Sequence, residues 1–259
     1  MGVNLNFLIL EKLGIKSIFI LMAIVLTAIL SSLVFAKICK LDKKFALLLG
    51  IGNSICGSSA IAATEQIIGA KQEEVGLSIA IVNFLGTIGI FVLPFVGSIF
   101  LKFSEINSGI LIGSTLQAVG QVVAAGFSIS NLSGQTATIV KMARILMLTP
   151  VVFSLMFIFL KKNKNNTEQM NSKKAGVPLF IIGFVLFSLI PTFEILPENY
   201  IHIISKVSHY SLIVAMAAIG LRITFSTILK DGKSALLVGS LIFVVQIVLS
   251  SSLIMLFLK

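Results

Sequence analysis

Tryptophan is absent from this chain, and cysteine, histidine and tyrosine occur only twice each. Cys39 and Cys56 are too few for a disulfide framework and read as small residues in or beside apolar segments. His202 and His209, seven apart, make no metal-ligand cluster with other side chains. Glycine-rich phosphate loops, zinc motifs and a nucleophile elbow are all missing. The expectation is a protein that is not an enzyme and holds neither metal nor cofactor. Charge is scarce as well: Asp, Glu, Lys and Arg make up 12% of the residues, against 57% hydrophobic.

What is present is apolar sequence, with a mean hydropathy of +1.08 over 259 residues, a value that places the chain in a lipid bilayer. Runs of about 20 apolar residues, the length that crosses about 30 Å of hydrocarbon, recur along it. They predict eight spans: Ile15–Ala36, Phe45–Ile68, Val75–Leu101, Gly109–Phe127, Thr138–Leu160, Val177–Phe193, Ile203–Leu221 and Ser234–Leu258. The expected fold is all-α and polytopic, one membrane transport domain over residues 1–259. No basic n-region or small-residue cleavage site marks the start as a signal peptide.

The formal charge of +10 would suit a nucleic-acid binder, but the lysines are arranged by topology. Lys37, Lys40, Lys43 and Lys44 fill the first connection, Lys161, Lys162, Lys164, Lys173 and Lys174 the fifth, and Arg222, Lys230 and Lys233 the seventh. Such loops are cytoplasmic by the positive-inside rule. No nucleic-acid partner is expected. If every segment crosses once, the connection bearing Lys71, Glu73 and Glu74 lies outside, as do both termini.

Two of the spans are unusual. Gly50-Ile51-Gly52-Asn53-Ser54-Ile55-Cys56-Gly57-Ser58-Ser59 puts glycines and small polar residues inside an apolar segment, and Gly113–Gly126 repeats the pattern with Ser114, Thr115, Gln117, Gly120 and Gln121. In hydrocarbon, loosened backbone survives only against other protein or a polar cavity. Gly52–Ile55 and Ala60–Ala63 correspond to Gly113–Leu116 and Gln121–Ala124. On the eight-span count these two spans run in the same direction, so they do not form a simple inverted pair. Either one segment does not cross once, or the similarity is compositional. A further pair, Gly2–Phe7 and Gly220–Phe225, aligns without a gap and falls on opposite faces, the sign of an inverted-repeat transporter.

These residues also carry a resemblance. Ser54–Ala63, Glu73-Glu74-Val75, Phe84–Thr87, Gly120–Gly126, Ala137–Arg144 and Ala215–Leu221 follow, in order, motifs of the YeiH-type family of bacterial inner-membrane proteins, described as sulfate exporters. The resemblance implies a multi-pass protein of the bacterial inner membrane that exports a small inorganic anion such as sulfate. It begins at about the family's fourth span, which implies a missing N-terminal portion. Gln117 and Ala118 stand where the family pattern often has an ionisable pair. More distantly, the family looks like the bile-acid-symporter and cation/proton-antiporter group, with broken helices near the membrane centre.

The expected substrate-binding residues are Asn53, Ser54, Ser58, Ser59, Gln117, Gln121, Lys141 and Arg144. Lys141 and Arg144 share one helical face and offer cationic donors, the arginine fork matching a tetrahedral oxyanion. Their alternative is snorkelling to the headgroups; for the serines it is helix packing. Asn83, Thr87 and Glu65 are further polar positions in spans, read mainly as packing or a solvated helix end. The expected partners are the lipid bilayer and the anion, with a second copy of the chain or a complementing N-terminal segment left open. Two other functions fit: a sodium-coupled organic-anion carrier using freed carbonyls near Asn53, and a non-transporting membrane subunit.

Overall fold

The structure is a computed structural model that describes residues 9–164 and 225–258, with isolated positions between 197 and 214. The expected spans Val177–Phe193 and Ile203–Leu221, the histidines and the Gly2–Phe7 and Gly220–Phe225 pair lie outside the described residues or are only sparsely covered by them. Among the described residues all regular structure is helical.

Helix α1 (Ile9–Ile38) shows how lipid shapes the fold. Phe19, Met22, Leu26, Leu30, Val34 and Ile38 form an exposed apolar stripe, while Leu21, Val25, Ala28, Ser32 and Ala36 are buried on the other side. Oily residues cover both faces, so helix association relies on close packing and hydrogen bonds. After a turn with Lys40 at φ 54°, Asp42 caps α2 (Lys43–Ser54) by accepting from Lys44 N at 2.8 Å.

The second apolar segment does not cross the membrane. Helix α2 ends at Ser54, Gly57 takes φ 68°, and α3 (Ser58–Ile68) turns back along α2. Two contacts fix this: Lys44 Nζ donates to Gly69 O at 2.8 Å, and a Cβ on Gly52 would lie 2.7 Å from Ile61 Cδ1. Residues at the start of α2 and just past the end of α3 thus share one level, as do residues near the turn. At 1.5 Å per residue each half is roughly 16–18 Å long, half the hydrocarbon thickness. The expected span Phe45–Ile68 is a re-entrant hairpin with its tip near the membrane centre.

Helix α4 (Gln72–Pro94), entered through a Lys71 N to Glu74 Oε2 bond of 3.0 Å, continues through a π-helical turn at Phe95–Phe100. Pro94, which has no N–H, stands at the change of geometry. Ser104 then caps α5 (Glu105–Thr115) by accepting from Asn107 N. The chain breaks at Leu116-Gln117-Ala118 and re-enters helix as α6 (Val119–Phe127). This too is a hairpin. Both α5 and α6 pack on α7 (Asn131–Leu146): a Cβ on Gly109 near the start of α5 would meet Ser133 O at 2.6 Å, and one on Gly126 near the end of α6 would meet Gly134 Cα at 2.9 Å. The start of α5 and the end of α6 therefore lie at one level of α7. Gly109 and Gly113, four apart, let α5 approach the α7 backbone as small residues do in membranes.

Helices α7 and α8 (Leu148–Lys164) together form one long crossing, and α9 (Phe225–Phe257) another. Among the described residues, four stretches are long and apolar enough to span: Phe19–Ile38, Gln72–Phe100, Asn131–Ile158 and Gly232–Phe257. The eight-span expectation is thus revised among the described residues, since Phe45–Ile68 and Gly109–Phe127 are hairpins. With one crossing, α4, between them, the hairpins enter from opposite faces. Lys71, Glu73 and Glu74 then join Lys44 on the lysine-rich side, and Lys102 and Glu105 move to the other. The lysine-rich face still carries the ends of α1 and α8 and the start of α9, so it remains cytoplasmic.

This topology is checked by impermeant-maleimide labelling after replacing Cys39 and Cys56 with serine. Single cysteines at Asp42 and Ala70 should label from the cytoplasmic face, and those at Ser104 and Ser130 from the opposite face. Labelling of Asp42→Cys and Ala70→Cys from opposite faces would restore the crossing.

Candidate substrate site

The two tips meet. Asn53, at the end of α2, accepts at Oδ1 from Gln117 Nε2 at 3.0 Å, and its Nδ2 donates back to Leu49 O. Gln117 Cβ lies 3.4 Å from the place a Cβ on Gly57 would occupy. The meeting point is level with the middle of the crossing helices. Gly86, halfway along the Gln72–Phe100 span, faces the side-chain amide oxygens of Gln117 and Gln121. Arg144 is likewise central in Asn131–Ile158.

A helix that stops in hydrocarbon leaves carbonyls without partners and a partial negative charge at its C-terminus. Both descending halves, α2 and α5, stop in this way. Arg144 and Lys141, each 0% exposed, supply the missing donors. Arg144 gives Nε to Ser54 O at 2.5 Å, Nη1 to Leu116 O at 2.8 Å and Nη2 to Asn53 O. Lys141 Nζ donates to Ile55 O and, at 2.8 Å, to Leu116 O. One arginine and one lysine thus tie the two tips together through four carbonyls. Neither snorkels, and among the described residues neither pairs with a carboxylate.

Helix α9 closes the network from behind. Gln246 Nε2 donates to Asn53 O at 3.2 Å, and the Ser250 and Ser114 hydroxyls are 2.7 Å apart. Gln246 and Ser250 were not singled out from sequence. Their only signal there was two buried-type polar residues, four apart, in the last apolar run.

The ascending halves present the opposite end. Gly57 gives α3 no side-chain cap, and Ser58 and Ser59 in its first turn are only half-buried. At the start of α6, Gln121 Oε1 accepts from Ala118 N at 3.0 Å while its Nε2 reaches Asn83 O at 3.2 Å. Gly120 beside it is exposed, with open space around it. Ser54 is buried, its hydroxyl bonded to Ile51 O. Of the expected residues, Asn53, Ser54, Gln117, Lys141 and Arg144 form the bonded junction; Ser58, Ser59 and Gln121 edge its accessible side. Asn83 borders Gly57 and Gln121, and Thr87 is exposed with its hydroxyl bonded to Asn83 O. Glu65 lies two turns along α3, with Oε2 buried and unbonded.

The chain matches, over residues 1–239, the family described as Conserved hypothetical protein 698. It belongs to this family. Among relatives it is 33% identical to a UPF0324 membrane protein of Clostridium perfringens over all of its own length and 77% of the relative's. It is 36% identical to one of Agrobacterium fabrum, covering 99% of the chain and 72% of the relative. With the UPF0324 inner membrane protein YeiH of Escherichia coli K12 it shares 33% over 93% of the chain and 69% of the relative. No solved structure matches it significantly. This UPF0324 chain is an inner-membrane protein, as its resemblance to the YeiH type implied.

Removing either cation should cost this family member its fold before anything else, because several buried carbonyls lose their donors at about 1–3 kcal/mol each. Arg144→Lys keeps the charge but not the fork that reaches three carbonyls. We expect Arg144→Lys and Lys141→Met each to lose roughly 2–5 kcal/mol, read as a lowered midpoint of monodispersity by size-exclusion chromatography after heating in detergent. An unchanged midpoint for both would contradict the capping role.

Proposed function

We infer that the chain is the transport domain of a secondary transporter for a small inorganic anion such as sulfate, with the substrate at the two hairpin tips. One observation carries this reading: two fully buried cations at the membrane centre without a paired carboxylate among the described residues. The partial charges of two C-termini and two N-termini cancel, so the junction keeps a net positive charge. Isolated charge in a bilayer is costly and marks ion or substrate pathways. An anion at the starts of α3 and α6 would meet backbone N–H groups, the partial positive helix ends and the cations behind them.

The sodium-coupled alternative is less well supported, because the carbonyls of Asn53, Ser54, Ile55 and Leu116 are already taken by Arg144, Lys141 and Gln246. The same fact changes the role of Arg144. It supplies field rather than a free fork, while direct contacts fall to the helix starts. Hairpins entering from opposite faces suit alternating access, since each could admit substrate from its own side.

The test is flux of labelled sulfate and phosphate into proteoliposomes holding the full chain. Gly120→Leu fills open space at the start of α6 and should leave thermal stability unchanged while lowering uptake at least tenfold. Absence of flux for every anion, by a chain that stays monodisperse, would favour the non-transporting subunit. Equal flux through Gly120→Leu would move the site away from the tips.

A further inference from the structure

The junction is not fully satisfied. Gln117 is wholly buried, yet its Oε1 has no hydrogen-bond partner; Gln246, 1% exposed and sharing Asn53 with Gln117, also has an unpaired Oε1. The orientation of both amides is fixed by their other ends. Gln117 Nε2 donates to Asn53 Oδ1 and Gln246 Nε2 to Asn53 O, so turning either amide would set oxygen against oxygen. Gln117 Oε1 also shares the notch over Gly86 with Gln121 Oε1, and only glycine leaves room there for both. That notch lies beside the start of α6, where Gln121 and Gly120 reach the accessible side. Two amide oxygens side by side repel unless a donor comes between or beside them. Gln121 Oε1 has one, Ala118 N; Gln117 Oε1 has none.

A site built only of donors suits a fully deprotonated oxyanion, but an acceptor in the same site changes the selection. Facing sulfate, Gln117 Oε1 would stay unpaired and meet another negative oxygen. Facing an oxyanion that carries a hydroxyl, it gains a hydrogen bond. We propose that the hairpin tips select a protonated oxyanion, such as hydrogen phosphate, over sulfate, with Gln117 Oε1 accepting the hydrogen bond of the anion's own O–H while the helix starts and buried cations hold its charge. This rests on the anion reading above and narrows its substrate class. Sites that pair a buried acceptor reject the analogue lacking the donor, because the acceptor is otherwise left desolvated. A factor of about 10 to 100 in favour of the protonated anion follows from that cost.

The experiment uses wild-type chain in proteoliposomes at about pH 7.5, reading uptake of labelled phosphate in competition with unlabelled phosphate, sulfate or monofluorophosphate. Monofluorophosphate keeps the tetrahedral shape and double charge of hydrogen phosphate but has fluorine in place of the hydroxyl. Phosphate should compete at least tenfold more strongly than either of the others, and Gln117→Met should lower phosphate uptake toward the sulfate rate. Equal competition by sulfate or fluorophosphate overturns the selection, with Gln117 Oε1 then bonded to a trapped water, while leaving anion transport standing. Uptake of no anion overturns both. A Gln117→Met chain that fails to fold leaves the wild-type competition to decide.

Discussion

Everything at the centre of this molecule depends on how two helices are allowed to stop inside a bilayer. A helix end in hydrocarbon exposes carbonyls that water would otherwise satisfy, and each is worth several kcal/mol if left alone. Here Arg144 and Lys141 reach from a third helix and cap both ends at once. The arrangement is reciprocal. The carbonyls give two buried cations the hydrogen bonds they need, and the cations make two broken segments stable at the membrane centre. Once the tips are pinned, the remaining packing follows: Gly109 and Gly113 bring α5 onto α7, and α9 seals the back through Gln246 and Ser250.

The same capping separates two kinds of polar residue that look alike in sequence. Asn53, Ser54 and the Leu116 carbonyl are consumed in holding the junction. Ser58, Ser59, Gly120 and Gln121 stand at helix starts, where the backbone offers N–H groups rather than carbonyls to the junction. C-terminal ends neutralised by buried basic side chains, beside helix starts that carry no carboxylate in their first turns, leave the junction with a positive electrostatic bias. That bias comes from the direction of the peptide dipoles, and it would reverse if carboxylates capped the N-termini instead.

Much of this was legible before any coordinates. The glycine and small-residue clusters marked where the spans break, because such residues are out of place in a lipid-facing helix. The one-face spacing of Lys141 and Arg144 marked them as a pair, and both reach the Leu116 carbonyl. What could not be read was the path of the chain between clusters. A 24-residue apolar run such as Phe45–Ile68 has the hydropathy of a crossing whether it runs straight or doubles back, and it is contacts such as Lys44 with Gly69 and Gly52 with Ile61 that distinguish the two. Likewise, snorkelling was a fair alternative for Lys141, since nothing in its local sequence reveals that Ile55 O and Leu116 O lie within reach.

The doubling back also removes a contradiction in the repeat. Gly52 pairs with Gly113 and Ala60 with Gln121 at one constant offset, yet two crossings separated by a third would run parallel, which an inverted repeat forbids. If each cluster is instead the turn of a hairpin, only α4 crosses between them, and the second hairpin must enter from the opposite face. The similarity is then structural: in each copy Gly52 or Gly113 sits on the descending half, and Ala60 or Gln121 in the ascending one. Inversion puts equivalent helix ends against each other at the midplane, so their like partial charges concentrate at one point. The two carbonyl ends together demand a cation there, which a single helix with two basic residues one turn apart can meet for both copies.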